Sequence, residues 1–185
     1  MKLAGTATQY GPVLQSLHWL TVVLVVTAYA MAPEGSEQAI YSAAGDFDRR
    51  THETVGLAVF ALTALRLGWR AYDSAPRLDE VPRAMRVASR VVQGTLYALL
   101  FAVPLTAVAG AWLAGHPLTL WGFGDIAPLV SASRELGKAV TGWHTTLCDT
   151  LLYLAGLHAA AALYHHGFRK DRVLRSMLPL RSRDS

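Results

Sequence analysis

Charged side chains are missing from long tracts of this chain and crowd into the segments between them. Residues 3–33 carry none, residues 91–124 carry none, and residues 139–168 carry only Asp149. About 20 apolar residues cross a bilayer as a helix, so each tract is long enough to span. A fourth apolar run, 54–65, is shorter. It reaches span length only if Arg66 and Arg70 form an interfacial end, their long side chains snorkelling to the headgroups. The pattern therefore predicts helical spans over about 13–32, 52–72, 91–112 and 142–166, the second being the least apolar. Gly11 and Pro12 mark the first start, because proline is accepted in a first helical turn, and Pro33 marks its end. Pro104 is positioned to kink the third span. Between the spans lie a polar stretch, 34–50, and a loop, 73–90, with two prolines and four arginines. A mixed segment, 113–138, reads as a loop with a short interfacial helix, and a basic tail, 169–185, closes the chain.

The expected fold is all-α, an integral membrane four-helix bundle forming one transmembrane domain over 1–185. Composition agrees: 52% of the 185 residues are hydrophobic and mean hydropathy is +0.28. Charged residues are 16%, against about 25% in soluble domains. The net charge of +4 is thus a matter of topology rather than a sign of nucleic-acid binding. Thirteen Lys and Arg fall on the side of the two termini and the second loop, and four on the other. That bias predicts both termini in the cytoplasm. Trp19, Trp69, Trp112 and Trp143 then lie near span ends, as in an aromatic belt. Ala28-Tyr29-Ala30 resembles a signal-peptide cleavage site, but no basic residues stand directly before the apolar run. The single cysteine, Cys148, excludes an intramolecular disulfide and reads as a small core residue.

Histidines fall at matching depths. His144 and His158 are 14 residues apart in one span, which puts them within roughly 40° of one helix face and about 21 Å apart. His18 enters the first span from the cytoplasmic side at the depth of His158, and His52 starts the second at the depth of His144. Two pairs result, His18 with His158 and His52 with His144, each joining two helices. Ionisable groups inside a membrane are costly and point to function. Facing histidines in a bundle core suit bis-imidazole ligation of haem. Zinc or copper wants three or four donors at one point. Without a Cys-x-x-Cys-His motif the haem is b type. Arg66, 14 residues after His52, shares its face at the inner depth and has the planar fork to bind haem propionates. Gly56, Gly142 and Gly156 stand near the histidines, where a missing side chain admits either a flat macrocycle or a close helix. Asp149 is placed to accept a ligand N–H, to serve a proton path or to bond a neighbouring helix.

The segments SLHWL (16–20), THETVGLAVFALTALRL (51–67), GWHTTL (142–147) and GLHAAAALYHHGFRKD (156–171) resemble those of the bacterial cytochrome b561 family of four-helix, di-haem b membrane proteins. The resemblance covers nearly the whole chain. It implies two haem b groups with axial ligands His18, His52, His144 and His158, residence in the bacterial inner membrane, and exchange of electrons with the ubiquinone pool. It also implies a quinone-linked role for His165, and, from one relative, superoxide oxidation at the outer face with ubiquinone reduction. Some relatives carry a histidine early in the third helix where this chain has Gln93. On the outer side Arg49, Arg50, Arg134 and Lys138 are basic groups able to attract an anionic donor, and ordinary surface charge explains them too. The rival reading is a haem b membrane anchor of a hydrogenase- or dehydrogenase-type respiratory complex. A further rival, a histidine-lined transporter without haem, would be colourless.

Overall fold

The computed structural model describes residues 4–6, 8–73 and 82–179. It is mostly helical. The long helices are α1 (Pro12–Ala30), α3 (Asp46–Tyr72), α4 (Arg83–Ala114) and α5 (Arg134–Tyr164), with a short α2 (Glu37–Ile40) before α3. A hairpin of β1 (Leu118–Leu120) and β2 (Gly124–Ile126) precedes α5, and a π-helical turn (His165–Arg169) continues it. Among the described residues, α1, α4 and the run from α5 through that turn are long and apolar enough to cross a membrane. α3 has 27 residues, about 40 Å of helix, but its charges leave an uncharged centre only over 54–65. Those charges suit its ends: Asp46 and Asp48 lie in the first turn and Arg70 in the last, complementing the helix dipole.

Pro12 stands at the start of α1, behind Gly11. α4 begins at Arg83, so much of the expected loop 73–90 is helix, while residues 74–81 of that loop lie outside the described residues. So do residues 180–185 of the basic tail and residues 1–3. α4 is unbroken across the buried Pro104 and stops at Gly115, whose φ of +88° is a left-handed cap. The expected interfacial helix in 113–138 is absent among the described residues, and the antiparallel hairpin takes its place, pairing Leu118 with Ile126 and Leu120 with Gly124. Gly122 and Gly124 turn it with φ of +80° and +72°, a conformation that excludes a regular helix there.

α1 packs chiefly on α3 and α4 chiefly on α5, with α3 joining the two pairs. Close approach of α4 and α5 depends on glycine. A Cβ on Gly110 would stand 2.7 Å from Thr141 Oγ1, and one on Gly137 would stand 2.6 Å from the Ala114 nitrogen. The buried centre is aliphatic: Val59, Leu99, Leu100 and Leu151, backed by Leu24, Val25, Leu96, Val103, Leu147 and Leu154. Outward faces are apolar as well, with Val23, Val26, Leu105, Leu157 and Leu163 exposed. Helices apolar on both sides suit a lipid surround.

The two ends differ. At one, the described termini meet: Tyr10 N–H and Gln15 Nε2 both donate to Ser176 O, at 3.1 and 3.2 Å, and Trp19 Nε1 donates to Met177 O at 2.9 Å. At the other, the hairpin sits on α3. There Trp121 donates from its backbone to Thr54 Oγ1 at 3.0 Å and from its indole to Thr51 Oγ1 at 3.1 Å.

Candidate functional site

Near the hairpin end, His52 of α3 and His144 of α5 face each other, with ring centroids 6.2 Å apart and planes at 86°. Each ring is anchored from behind. His52 Nδ1 lies 2.7 Å from the carbonyl oxygen of Ala28 in α1, and His144 Nδ1 lies 2.9 Å from that of Val103 in α4. A carbonyl only accepts, so Nδ1 carries the hydrogen in both rings and Nε2 keeps its lone pair. All four long helices contribute to this one layer. Val103 O also accepts from the Thr106 hydroxyl at 2.9 Å.

The terminal half holds the second layer. His18 of α1, His158 of α5 and Arg66 of α3 lie near enough to interact electrostatically. His18 Nδ1 and Arg66 Nε are buried without a hydrogen-bond partner among the described residues. The Arg66 guanidinium also stands over the Tyr97 ring of α4, 5.3 Å from its centroid. Between the layers sits the aliphatic centre. Leu151 is seven residues from both His144 and His158, and Val59 is seven from both His52 and Arg66, so each is about 10 Å from either layer along its helix.

A family model described as prokaryotic cytochrome b561 matches residues 9–180. The chain belongs to that family. Cytochrome b561 homolog 1 of Escherichia coli strain K12 is 30% identical over 172 residues, covering 89% of this chain and 94% of the relative. A probable superoxide oxidase, CybB, of Yersinia pestis is 28% identical, covering 88% and 92%. Cytochrome b562 of Cereibacter sphaeroides is 29% identical, covering 88% and 90%. As a cytochrome b561 family member the chain is a bacterial electron-transfer membrane protein, and the family implies haem b.

The residues present fit such a group. An imidazole nitrogen binds a metal at about 2 Å and its ring centre lies roughly 1 Å behind, so two ligands sharing one metal stand with centres about 6 Å apart. The His52–His144 spacing meets that requirement. Gly56, one turn beyond His52, has nothing within 4 Å of where a Cβ would be. In the terminal layer Arg66 Nε, a buried donor without a partner among the described residues, suits an acceptor such as a haem propionate. The other glycines do not serve this way. Gly142 and Gly156 are exposed and lie on the side of α5 nearly opposite its histidines, so the approach expected at them is not available.

The remaining predicted residues divide clearly. Asp149 is exposed on the same outer side of α5, away from His144. Arg49 is buried, bonding Ile40 O at 2.8 Å and Thr119 Oγ1 at 3.1 Å, and pairing with Asp46. Arg50 pairs with Asp46 at 2.8 Å and with Asp125 at 3.4 Å. Arg134 and Lys138 are exposed near the start of α5. Gln93 bonds Ser89 Oγ at 2.8 Å, one turn back on its own helix. Of the tryptophans, Trp143 is exposed, whereas Trp69 and Trp112 bury indole N–H groups that have no partner among the described residues. His165 bonds the buried Asp171, and His166 Nδ1 is buried.

Sequence reasoning passed over a cluster at the hairpin end. His116 bonds Glu37 at 2.7 Å and stacks on Tyr41 at 3.6 Å, while Glu53 accepts from the backbone N–H and hydroxyl of Thr119. The hydrogen bond from His116 holds the Glu37 carboxyl below its usual range. Burial and the Glu53 charge push the Tyr41 phenol up to about 12. The partners are far apart in sequence and none belongs to a motif; Gly115 and Pro117 around His116 signalled only a turn.

Proposed function

We propose that this chain is a di-haem b protein that carries electrons across the bacterial inner membrane to ubiquinone. The long helices form a four-helix bundle with both termini in the cytoplasm, an orientation supported by the thirteen-to-four distribution of basic residues. His52 and His144 would hold the outer haem, and His18 and His158 the inner one. The observation that carries this reading is the hairpin-end pair, two rings 6.2 Å apart with both Nδ1 atoms committed to carbonyls. Such a backing bond fixes the tautomer and makes the ligating nitrogen more basic.

Held by paired histidines, haem would supply one-electron transfer. The protein's own residues do the rest. Arg66 would bind the propionates of the inner group through its fork. Val59, Leu99, Leu100 and Leu151 keep water out of the space between the layers. His165, about 10 Å beyond His158 toward the cytoplasm, meets ubiquinone at the inner membrane face. The resemblance to a probable superoxide oxidase supports superoxide as the electron donor at the outer face, with Arg134 and Lys138 as its exposed basic groups.

The test is reduction of the purified, haem-loaded protein by superoxide, followed by electron delivery to a short-chain ubiquinone. Rapid, saturable reduction and quinone-dependent reoxidation are expected. Slow, unsaturable reduction, together with copurification of a soluble redox subunit, would favour a membrane anchor of a hydrogenase or dehydrogenase complex.

A further inference from the structure

Beyond the inner layer, α5 does not simply stop. It widens into the π turn His165–Arg169, and Lys170, with φ of +54°, reverses the chain. The reversal returns Asp171 onto His165, where the Asp171 backbone N–H donates to His165 O at 3.2 Å. Asp171 Oδ2 takes the hydrogen on His165 Nδ1, and Oδ1 takes the Val173 N–H at 3.1 Å. Arg169 Nε stands 3.6 Å from Oδ2. Both side chains are withdrawn from solvent, at 14% exposure for His165 and 8% for Asp171. Burial opposes ionisation of Asp171, but the bonds from His165 and Val173 prevail and hold its carboxyl below the usual range.

An ionised carboxylate only accepts, so the proton on this imidazole resides on Nδ1 and Nε2 is the position left to react. Apolar surface lies alongside. The Tyr164 ring is 6.2 Å from His165 and stacks at 5.4 Å on Phe168, which is 81% exposed. That exposed aromatic pair suits a substrate arriving through lipid.

We infer that Asp171 is the positioning residue of a proton-transfer site at His165, fixing the tautomer in which Nε2 exchanges protons with a membrane quinone. This rests on the quinone reaction proposed above. Reduction of one quinone takes two electrons and two protons. The electrons come from two one-electron donors at the outer face, two superoxide ions leaving as two dioxygen molecules. One proton passes from Nε2 of the doubly protonated imidazole to a quinone carbonyl oxygen, breaking N–H and forming O–H. The neutral ring, still donating from Nδ1 to Asp171, then recovers a proton from cytoplasmic water. The second carbonyl oxygen takes its proton from water.

Asp171→Asn separates positioning from mere capping, because an amide has one oxygen where the carboxylate has two. The Val173 N–H needs that oxygen, so the amide NH2 must face His165. The ring then accepts at Nδ1 and carries its hydrogen on Nε2, the wrong tautomer for taking up a proton there. In the haem-loaded full-length protein with a short-chain ubiquinone, Asp171→Asn should lower kcat tenfold or more. KM should stay within twofold and both haem spectra should be unchanged, while Asp171→Glu restores kcat to within about threefold. Wild-type kcat in Asp171→Asn beside a slowed His165→Ala would overturn the role of Asp171 and leave the quinone reading intact. Wild-type rates in both would overturn the quinone reading at His165 as well. Equal losses in Asp171→Asn and Asp171→Glu, with a tail newly open to protease, would make Asp171 a structural cap only.

Discussion

The two histidine layers are built from the same helices yet are finished differently. In the hairpin-end layer the protein satisfies itself: both Nδ1 atoms meet backbone carbonyls, and the ring centres already stand 6.2 Å apart with their planes nearly perpendicular. In the terminal layer His18 Nδ1 and Arg66 Nε are buried without partners among the described residues. An unsatisfied buried donor costs about 1–3 kcal/mol. The first layer is therefore preorganised by the polypeptide alone, whereas the second keeps buried polar atoms that the proposed inner haem would satisfy. That contrast suits the direction of the proposed electron path. In that proposal the self-satisfied layer would take electrons from a small anion, and the layer with the unpaired Arg66 Nε would stand on the side of the proposed quinone site.

The largest expected effect splits the layers. His158→Ala should remove the terminal-layer haem, spare the other, and abolish electron flow to quinone. His52→Ala should do the reverse for haem content, as difference spectra of the two variants will show. Loss of both haems from either variant would join what the structure separates into two layers.

Overpacking comes next. Gly137→Leu drives a side chain into the Ala114 backbone, where even a Cβ would come within 2.6 Å, and should destabilise the α4–α5 contact by about 1–3 kcal/mol or more. A thermal melt in detergent will read it. Gly142→Leu, on the open face of α5, should leave the melt and the haem content unchanged. Gly56→Leu is the matching probe of the hairpin-end layer and should lower haem occupancy there.

His165→Ala should keep both low-spin spectra and slow quinone-dependent reoxidation about tenfold, or roughly 1.4 kcal/mol of barrier. The smallest effect is one of pH. The Asp171 carboxyl is held below its ordinary value in the folded chain, so its stabilisation of the tail is complete above the ordinary carboxylate range. It fades as pH falls through the folded value. Protease sensitivity of residues 165–179 should accordingly rise only in acid, below about pH 4, and Asp171→Asn should lose that dependence.

Much of this was legible in sequence for physical reasons. Charge-free tracts locate apolar helices because lipid excludes charge, and the seven-residue rhythm that places His144, Leu151 and His158 on one face is a property of the helix itself. The family resemblance rested on the residues around those histidines, and the match over residues 9–180 bears it out. The hairpin was missed because two short strands held by Glu53, Thr54 and Thr51 of a distant helix leave no local period. Glycine was legible only in part. Gly56, Gly142 and Gly156 look equivalent beside their histidines, but at 100° per residue a two-residue offset points to the other side of the helix and a four-residue offset returns to the same one. Asp171 was hidden by the π turn and the left-handed Lys170, neither of which a 3.6-residue pattern anticipates.

The central claim is that two layers hold two haem groups, and a pyridine haemochrome assay on the purified chain tests it most directly. Two b-type haems per polypeptide are expected, with one remaining in His158→Ala. One haem in the unmodified protein, or none, would contradict it.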